Sequence, residues 1–331
     1  MSKLAMPLNK RLSEHSIFDT GIQNALERMD SAIIGQHNVA EKALCAFLAS
    51  GHVLLEGVPG IGKTTLAFQL ANVFAGSFNR IQMTSDLLPS EIIGYQRPNK
   101  KTGELEFQKG PIFAHFVLTD ELNRTSPKTQ AALLEAMAEG RVSVDGETLL
   151  LPSPFFVIAT QNPAESYGVY PLSESQLDRF MLKLRMVTPD EEAERRIYQE
   201  AARPSGETGS LRIIDPTKPI FTIEQVEKIR RLVRQVHVDP DVIEYFHELL
   251  KRTRAHSEVR HGVSVRGGLQ FMNASRALAF IRGRDYVSPD DIRSLAVPVM
   301  AHRLVLENGL MDEEPKANIV EEILKKTPSP V

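Results

Sequence analysis

The chain has 331 residues, 42% of them hydrophobic and 24% charged, with a net charge of −3. That length suits about two domains of a soluble globular protein, and the slight acidic excess lacks the basic footprint of a nucleic-acid or anionic-membrane binder. A single cysteine, Cys45, excludes an intramolecular disulfide framework and reads as a small core residue; no signal-peptide h-region or membrane-length apolar run is present, so a cytoplasmic protein without membrane insertion is expected.

Along the chain, five short apolar runs read as buried strands: "HVLLEG" from His52, "RIQMT" from Arg80, "AHFVLTD" from Ala114, "FFVIATQN" from Phe155 and "FMLKLRM" from Phe180. Near-continuous apolar runs separated by helical patterns suit a parallel sheet covered on both faces. "GYQRPNKKTGELEFQKG" reads as a hairpin. A helix follows the third strand, with Ser126 as N-cap, Pro127 in the first turn and Gly140 as its stop. "RVSVDGETLLL" alternates around Asp145-Gly146 and reads as a second hairpin.

After Val187 the pattern turns helical. Thr188, Pro189 and Glu191 suggest a capping box, "TIEQ" and "SPDD" repeat that signature, and "DPDVIEYFHELL" opens on an Asp cap with Pro; "RPSGETGS" reads as a loop. No strong strand run is evident there. The basic stretches "EKIRRLVRQV" and "KRTRAHSEVRHGVSVR" read as solvated helix faces. The expected architecture is an α/β core over 1–187, built on a parallel five-stranded sheet with helices before it, and a smaller all-helical domain over 188–331.

The chemistry concentrates in "LLEGVPGIGKTTLA". Gly57, Gly62, Lys63 and Thr64 match G-x-x-x-x-G-K-[ST] between a strand and a helix, and Pro59, Gly60, Ile61 and Thr65 complete the loop. Such a loop wraps phosphate oxygens with backbone N–H groups; Lys63 is expected to reach the β- and γ-phosphates of ATP and Thr64 to ligate Mg²⁺. This explains the adjacent acids Asp120 and Glu121 at the end of a core strand, which need a cation nearby. With that strand beside the phosphate loop, Asp120 would serve the Mg²⁺ and Glu121 would polarise the attacking water. The histidines show no metal-ligand spacing, so no metal beyond the nucleotide's Mg²⁺ is expected.

In order, Walker A "GVPGIGKT", Walker B "VLTDELNR", "ATQNP" and "LSESQLDRF" resemble a MoxR-type AAA+ ATPase over nearly the whole chain. The resemblance implies an AAA+ core with a C-terminal helical lid, and a homo-hexameric ring with ATP at subunit interfaces. It implies sensor 1 at Asn162, an arginine finger at Arg179, sensor 2 at Arg266, and an adenine pocket at "IIGQ", which contains Ile34 and Gly35. Residue chemistry alone also allows Asn162 to cap the turn before Pro163 and Arg179 to pair with Asp178. Gly267 and Gly268 suggest a loose helix start after Arg266. Arg124 is either a second trans contact or a helix-flanking charge.

The two hairpins correspond to inserts that face the pore or surface of such rings, although ordinary surface hairpins would look the same. The implied activity is that of a chaperone that remodels or matures partner proteins. It often works with a von Willebrand factor A-domain protein, here a separate one because the chain leaves no room for that domain after the lid. A nucleic-acid motor related to ring helicases and the ATPase subunit of a metal chelatase are the rival readings. The acidic balance and the lack of an aromatic-basic strand-binding pattern weigh against a nucleic-acid partner.

Overall fold

All five apolar runs become strands of one parallel sheet: β1 (Val53–Glu56), β2 (Phe78–Gln82), β3 (Phe116–Asp120), β4 (Phe156–Gln161) and β5 (Leu182–Arg185). Their spatial order is β2-β3-β4-β1-β5, and every neighbouring pair is parallel. These features come from a computed structural model that describes residues 8–101, 103–162, 168–202, 218–309 and 312–330. The proposed loop "RPSGETGS" and Pro163 lie outside the described residues.

Alternate residues of each strand serve opposite faces, and both faces are covered, which is why the strands are apolar throughout. Val53, Leu55, Phe116, Leu118, Phe156 and Ile158 join one core; Leu54, Val117, Val157 and Ala159 join the other. The first core is built under α1 (Leu8–Ala32), α2 (His37–Leu48) and α3 (Lys63–Val73). At its centre Phe47 packs on Phe74, Phe116 and Phe156, with ring centroids 4.7, 4.9 and 5.4 Å away. The second core lies beneath α4 (Pro89–Ile93) and α5 (Pro127–Glu139). Ser126 caps α5 and Gly140 ends it at φ 64°, both as the sequence suggests.

Both hairpins form outside the main sheet: Gly94–Pro98 with Leu105–Lys109, and Arg141–Val144 with Glu147–Leu150. Asp145 and Gly146 take φ of 50° and 85°, the left-handed pair that a two-residue hairpin turn requires. A one-turn helix, α6 (Glu174–Leu177), precedes β5.

The C-terminal part is helical: α7 (Glu191–Ala201), α8 (Ile223–Val233), α9 (Pro240–Ala255), α10 (Val265–Ile281), α11 (Pro289–Met300) and α12 (Glu313–Lys326). Thr222, Asp239 and Ser288 cap α8, α9 and α11 as expected. The cap of α7 is Asp190, not Thr188: its carboxylate accepts from Ala193 N at 2.8 Å. Thr188 precedes a proline and is biased towards extended backbone, while Asp190 caps just as well nearer the first turn. Two very short strands, Val259–His261 and Val305–Leu306, pair antiparallel, so this part is not purely helical. Three residues are too few to leave an alternation in the sequence.

The helical part is welded to the sheet side. Arg282 of the segment after α10 forms a bidentate pair with buried Glu41 of α2, both contacts 2.9 Å. Buried Asp291 of α11 takes Arg284 through two bonds of 2.6 and 2.7 Å. Arg230 of α8 corrects the reading of "EKIRRLVRQV" as wholly solvated. It is buried, its guanidinium lies 5.0 Å from the Phe47 ring centroid, and Nη2 donates to Phe47 O at 2.7 Å. Cys45 is buried as expected and its Sγ donates to Ala274 O of α10 at 3.1 Å. Among the described residues, no helix is long and apolar enough to cross a membrane.

Candidate active site

β1 ends at Glu56 and the chain turns through Gly57–Gly62 into α3. Gly60 and Gly62 adopt φ of 82° and 99°, conformations that side chains other than glycine's rarely take. Gly62 is also the N-cap of α3 and has no side chain to satisfy the first-turn N–H groups. Those donors and the helix dipole suit an anion. Lys63 Nζ donates to Gly57 O at 2.5 Å and to Val58 O at 3.4 Å, which holds its ammonium inside the loop. Thr64 and Thr65 follow, both partly exposed. The loop therefore fits a polyphosphate.

An apolar wall stands beside it. A Cβ on Gly62 would lie 3.6 Å from Ile33 Cγ2, so "IIGQ" is next to the phosphate loop. Gly35, at φ 80°, is packed so that a Cβ would meet Ala193 at 3.0 Å and Pro189 at 3.6 Å. Gln36 Nε2 donates to Val187 O at 2.6 Å. The loop, the segment with Ile34 and Gly35, and the chain leaving β5 thus converge in one place.

Asp120 does not end a strand directly beside β1. β4 lies between them, and its register sets Thr160 opposite Leu55 and Gln161 opposite Glu56. Asn162, buried, follows Gln161 and so stands at the sheet edge between the loop and the acids. Thr160, also buried, joins the two acids: its Oγ1 donates to Asp120 Oδ1 at 2.6 Å and accepts from Glu121 N at 2.9 Å. Arg80 Nη2 lies 2.6 Å from Asp120 Oδ2. Each carboxylate oxygen keeps a further lone pair, so Asp120 fits a role towards the water shell of a cation.

Glu121 sits at φ 60°, ψ 50°, a left-handed backbone that costs a non-glycine residue roughly 1–2 kcal/mol. Its Oε2 accepts from Gln82 Nε2 at 2.9 Å and lies 3.3 Å from Arg124 Nε. Arg124 therefore contacts the acid of its own chain.

The two remaining arginines lie elsewhere. Arg179 occupies the turn just before β5, at the end of the sheet opposite the phosphate loop: Met181 N donates to His52 O at 2.8 Å, ahead of the first residue of β1. Asp178 is bonded to Arg303, at 2.8 Å, and not to Arg179. Arg266 lies exposed in the first turn of α10. The start of that helix is firm: Ser264 Oγ accepts from Gly267 N at 3.0 Å. Its glycines serve packing, since a Cβ on Gly267 would lie 2.9 Å from Arg303 Cδ and one on Gly268 2.7 Å from Leu250 Cδ1.

Comparison with known proteins agrees with this arrangement. Residues 52–182 match the model of the ATPase family associated with various cellular activities (AAA), and residues 251–323 match the AAA lid domain. An uncharacterized Bacillus subtilis protein, YeaC, is 46% identical over 93% of this chain and 94% of its own length. Chaperone MoxR1 of Mycobacterium tuberculosis is 38% identical over 90% of this chain and 79% of its own. The chain belongs to the MoxR family of AAA+ ATPases. A solved Cytophaga hutchinsonii structure, provisionally named an ATPase, superimposes with a TM-score of 0.85 at 33% identity, covering 99% of this chain and all of that one.

In this MoxR-type chain the sequence motifs mark the loop and the acids but not what holds them. Thr160, Gln82 and Arg80 are absent from the expected site because their role depends on strand register. The polar alternation of Arg80 and Gln82 about buried Ile81 is a faint signal of that role. Among the described residues, no group of three or more His, Cys, Asp or Glu side chains is arranged to hold a metal ion.

Proposed function

We propose that this protein binds ATP with Mg²⁺ and hydrolyses it in a homo-oligomeric ring, as a chaperone that remodels partner proteins. The observation that carries the reading is a left-handed glycine loop holding the Lys63 ammonium at the same sheet edge as the Thr160-bonded Asp120 and Glu121. The backbone N–H groups of Gly57–Thr65 and Lys63 grip the phosphates, while Ile34 and Gly35 border the base. Glu121 polarises a water for attack on the γ-phosphorus, the bond to the β-phosphate oxygen breaks, and ADP and phosphate result. Asn162 helps to position that water. Thr64 and Asp120 would hold Mg²⁺, which supplies charge neutralisation for the phosphates.

Ring assembly is supported by the separation of Arg179 from the loop. Arg179 stands at the opposite end of the sheet, so a second copy is the natural recipient of its charge. Sharing between subunits lets the planar guanidinium stabilise a neighbour's transferring phosphoryl group. The chaperone reading is supported by the similarity to MoxR1; a separate von Willebrand factor A-domain protein is the partner we favour.

Glu121→Gln should retain ATP binding while lowering turnover by about 10²-fold or more, the lower range for loss of a positioned acid–base group. Measured ATPase at the wild-type rate would remove Glu121 from the mechanism. Lys63→Ala should instead weaken binding itself, read as a lower affinity for a fluorescent ATP analogue.

A further inference from the structure

One buried arginine has no part in the site described above. The Arg303 side chain is 2% exposed, follows α11, and concentrates its donors on the turn that carries Arg179. Nε donates to Asp178 Oδ1 at 2.8 Å, Nη2 to Phe180 O at 2.7 Å and Nη1 to Met181 O at 3.2 Å. The residues at 178, 180 and 181 are thus all tied to one guanidinium, and the half-buried Arg179 is the residue of that turn left out of those bonds. The same guanidinium reaches Gln270 Oε1 of α10 and Val299 O of α11, and His302 Nε2 lies 2.8 Å from Nη1. Gly267, next to Arg266, leaves the space that the Arg303 stem fills.

We propose that Arg303 is a positioning residue for Arg179: it holds the Asp178 side chain before the finger and the backbone carbonyls of Phe180 and Met181 after it, and anchors them to the head of α10 and to α11. This rests on the reading of Arg179 as a residue that serves a neighbouring subunit. The chemistry requires an arginine. A rigid planar fork can bond a carboxylate and two carbonyls in fixed directions, whereas a lysine ammonium is a single point with a flexible stem. Burial lowers the guanidinium's proton affinity and the Asp178 carboxylate restores part of it, so Asp178 is the partner that keeps the charge in place. A finger mounted in this way follows the helical part of its own subunit.

The test uses full-length protein assembled with ATP. Asp178→Asn keeps the size of a partly exposed residue and loosens the anchor without emptying the core; Arg303→Gln is the stronger variant. For Asp178→Asn we expect kcat to fall about ten- to a hundredfold, the scale of a small misplacement, with unchanged affinity for a fluorescent ATP analogue. Combined with Arg179→Ala it should be no slower than Arg179→Ala alone. In rings mixed with Glu121→Gln subunits, Asp178→Asn subunits should regain hydrolysis at their own sites, because the neighbour supplies an intact finger. A merely structural defect would stay with the subunit that carries it. Wild-type kcat in folded Asp178→Asn, losses that multiply with Arg179→Ala, or no recovery in verified mixed rings each overturns the proposal. If Arg179→Ala itself turns over at the wild-type rate, the finger reading fails first, and the two failures are distinguishable. Should Arg303→Gln not fold, Asp178→Asn alone decides the matter.

Discussion

Thr160 shows how much a single hydroxyl carries. It is buried, gives its proton to Asp120 and receives one from the Glu121 backbone, which itself holds a left-handed conformation. Replacing it with valine keeps the shape but deprives the Glu121 N–H of its acceptor, at a cost of about 1–3 kcal/mol. Both acids then lose their common support. Thr160→Val should therefore lower the urea midpoint and reduce kcat more than it changes nucleotide affinity, and steady-state ATPase with a binding titration separates the two. His52 makes a different point. Its Nδ1 is bonded to Val157 N at 3.0 Å and its Nε2 to Met137 O at 3.0 Å, and burial lowers its pKa to about 4. The folded form resists a proton that the unfolded chain accepts below about pH 6.5. Stability from this group is complete above that pH and is lost as pH falls towards 4, by about 1.4 kcal/mol per pH unit. Buried His302 is shifted in the same direction. Denaturant midpoints between pH 7 and 5 should fall, and less steeply in His52→Gln.

At the scale of elements, legibility follows the range of the interaction. The strands, both hairpins, and the caps at Ser126, Thr222, Asp239 and Ser288 are local patterns, and they stand where the sequence puts them. The cap at Asp190 differs from the expected Thr188 because two good candidates lie two residues apart, and the packing of Pro189 against Gly35 is not a local property. The glycines after Arg266 look like helix weakness in the sequence, while their role is to admit Arg303 and Leu250. The order of strands, which places β4 between loop and acids, leaves no mark on any one segment. The Asp145-Gly146 hairpin is legible as a turn but silent about purpose. It lies outside the main sheet, and its tip is exposed. Shortening it from Ser143 to Glu147 should preserve ATP binding and assembly while abolishing stimulation of hydrolysis by a cognate partner. The check is ATPase rate against partner concentration; equal stimulation in both forms would make the hairpin a passive turn.

Across the whole molecule, the core beneath α2 does not stop at the sheet. It runs without a break from Ile22 and Phe47 through Val226, Leu278 and Leu295 to Ile323. That continuity bears on how the protein is made. Translation delivers the sheet and α2 first, and the residues from 188 to 300 that close over them follow at about 5–20 per second, an interval of roughly 6–23 s. Throughout it, the side of α2 that will receive Arg230 and α10 faces water or whatever chaperone is near the ribosome. A protein proposed to assist others thus passes through a stage in which part of its own apolar core needs cover, and a ribosome stalled between α7 and α10 would release a product prone to aggregate.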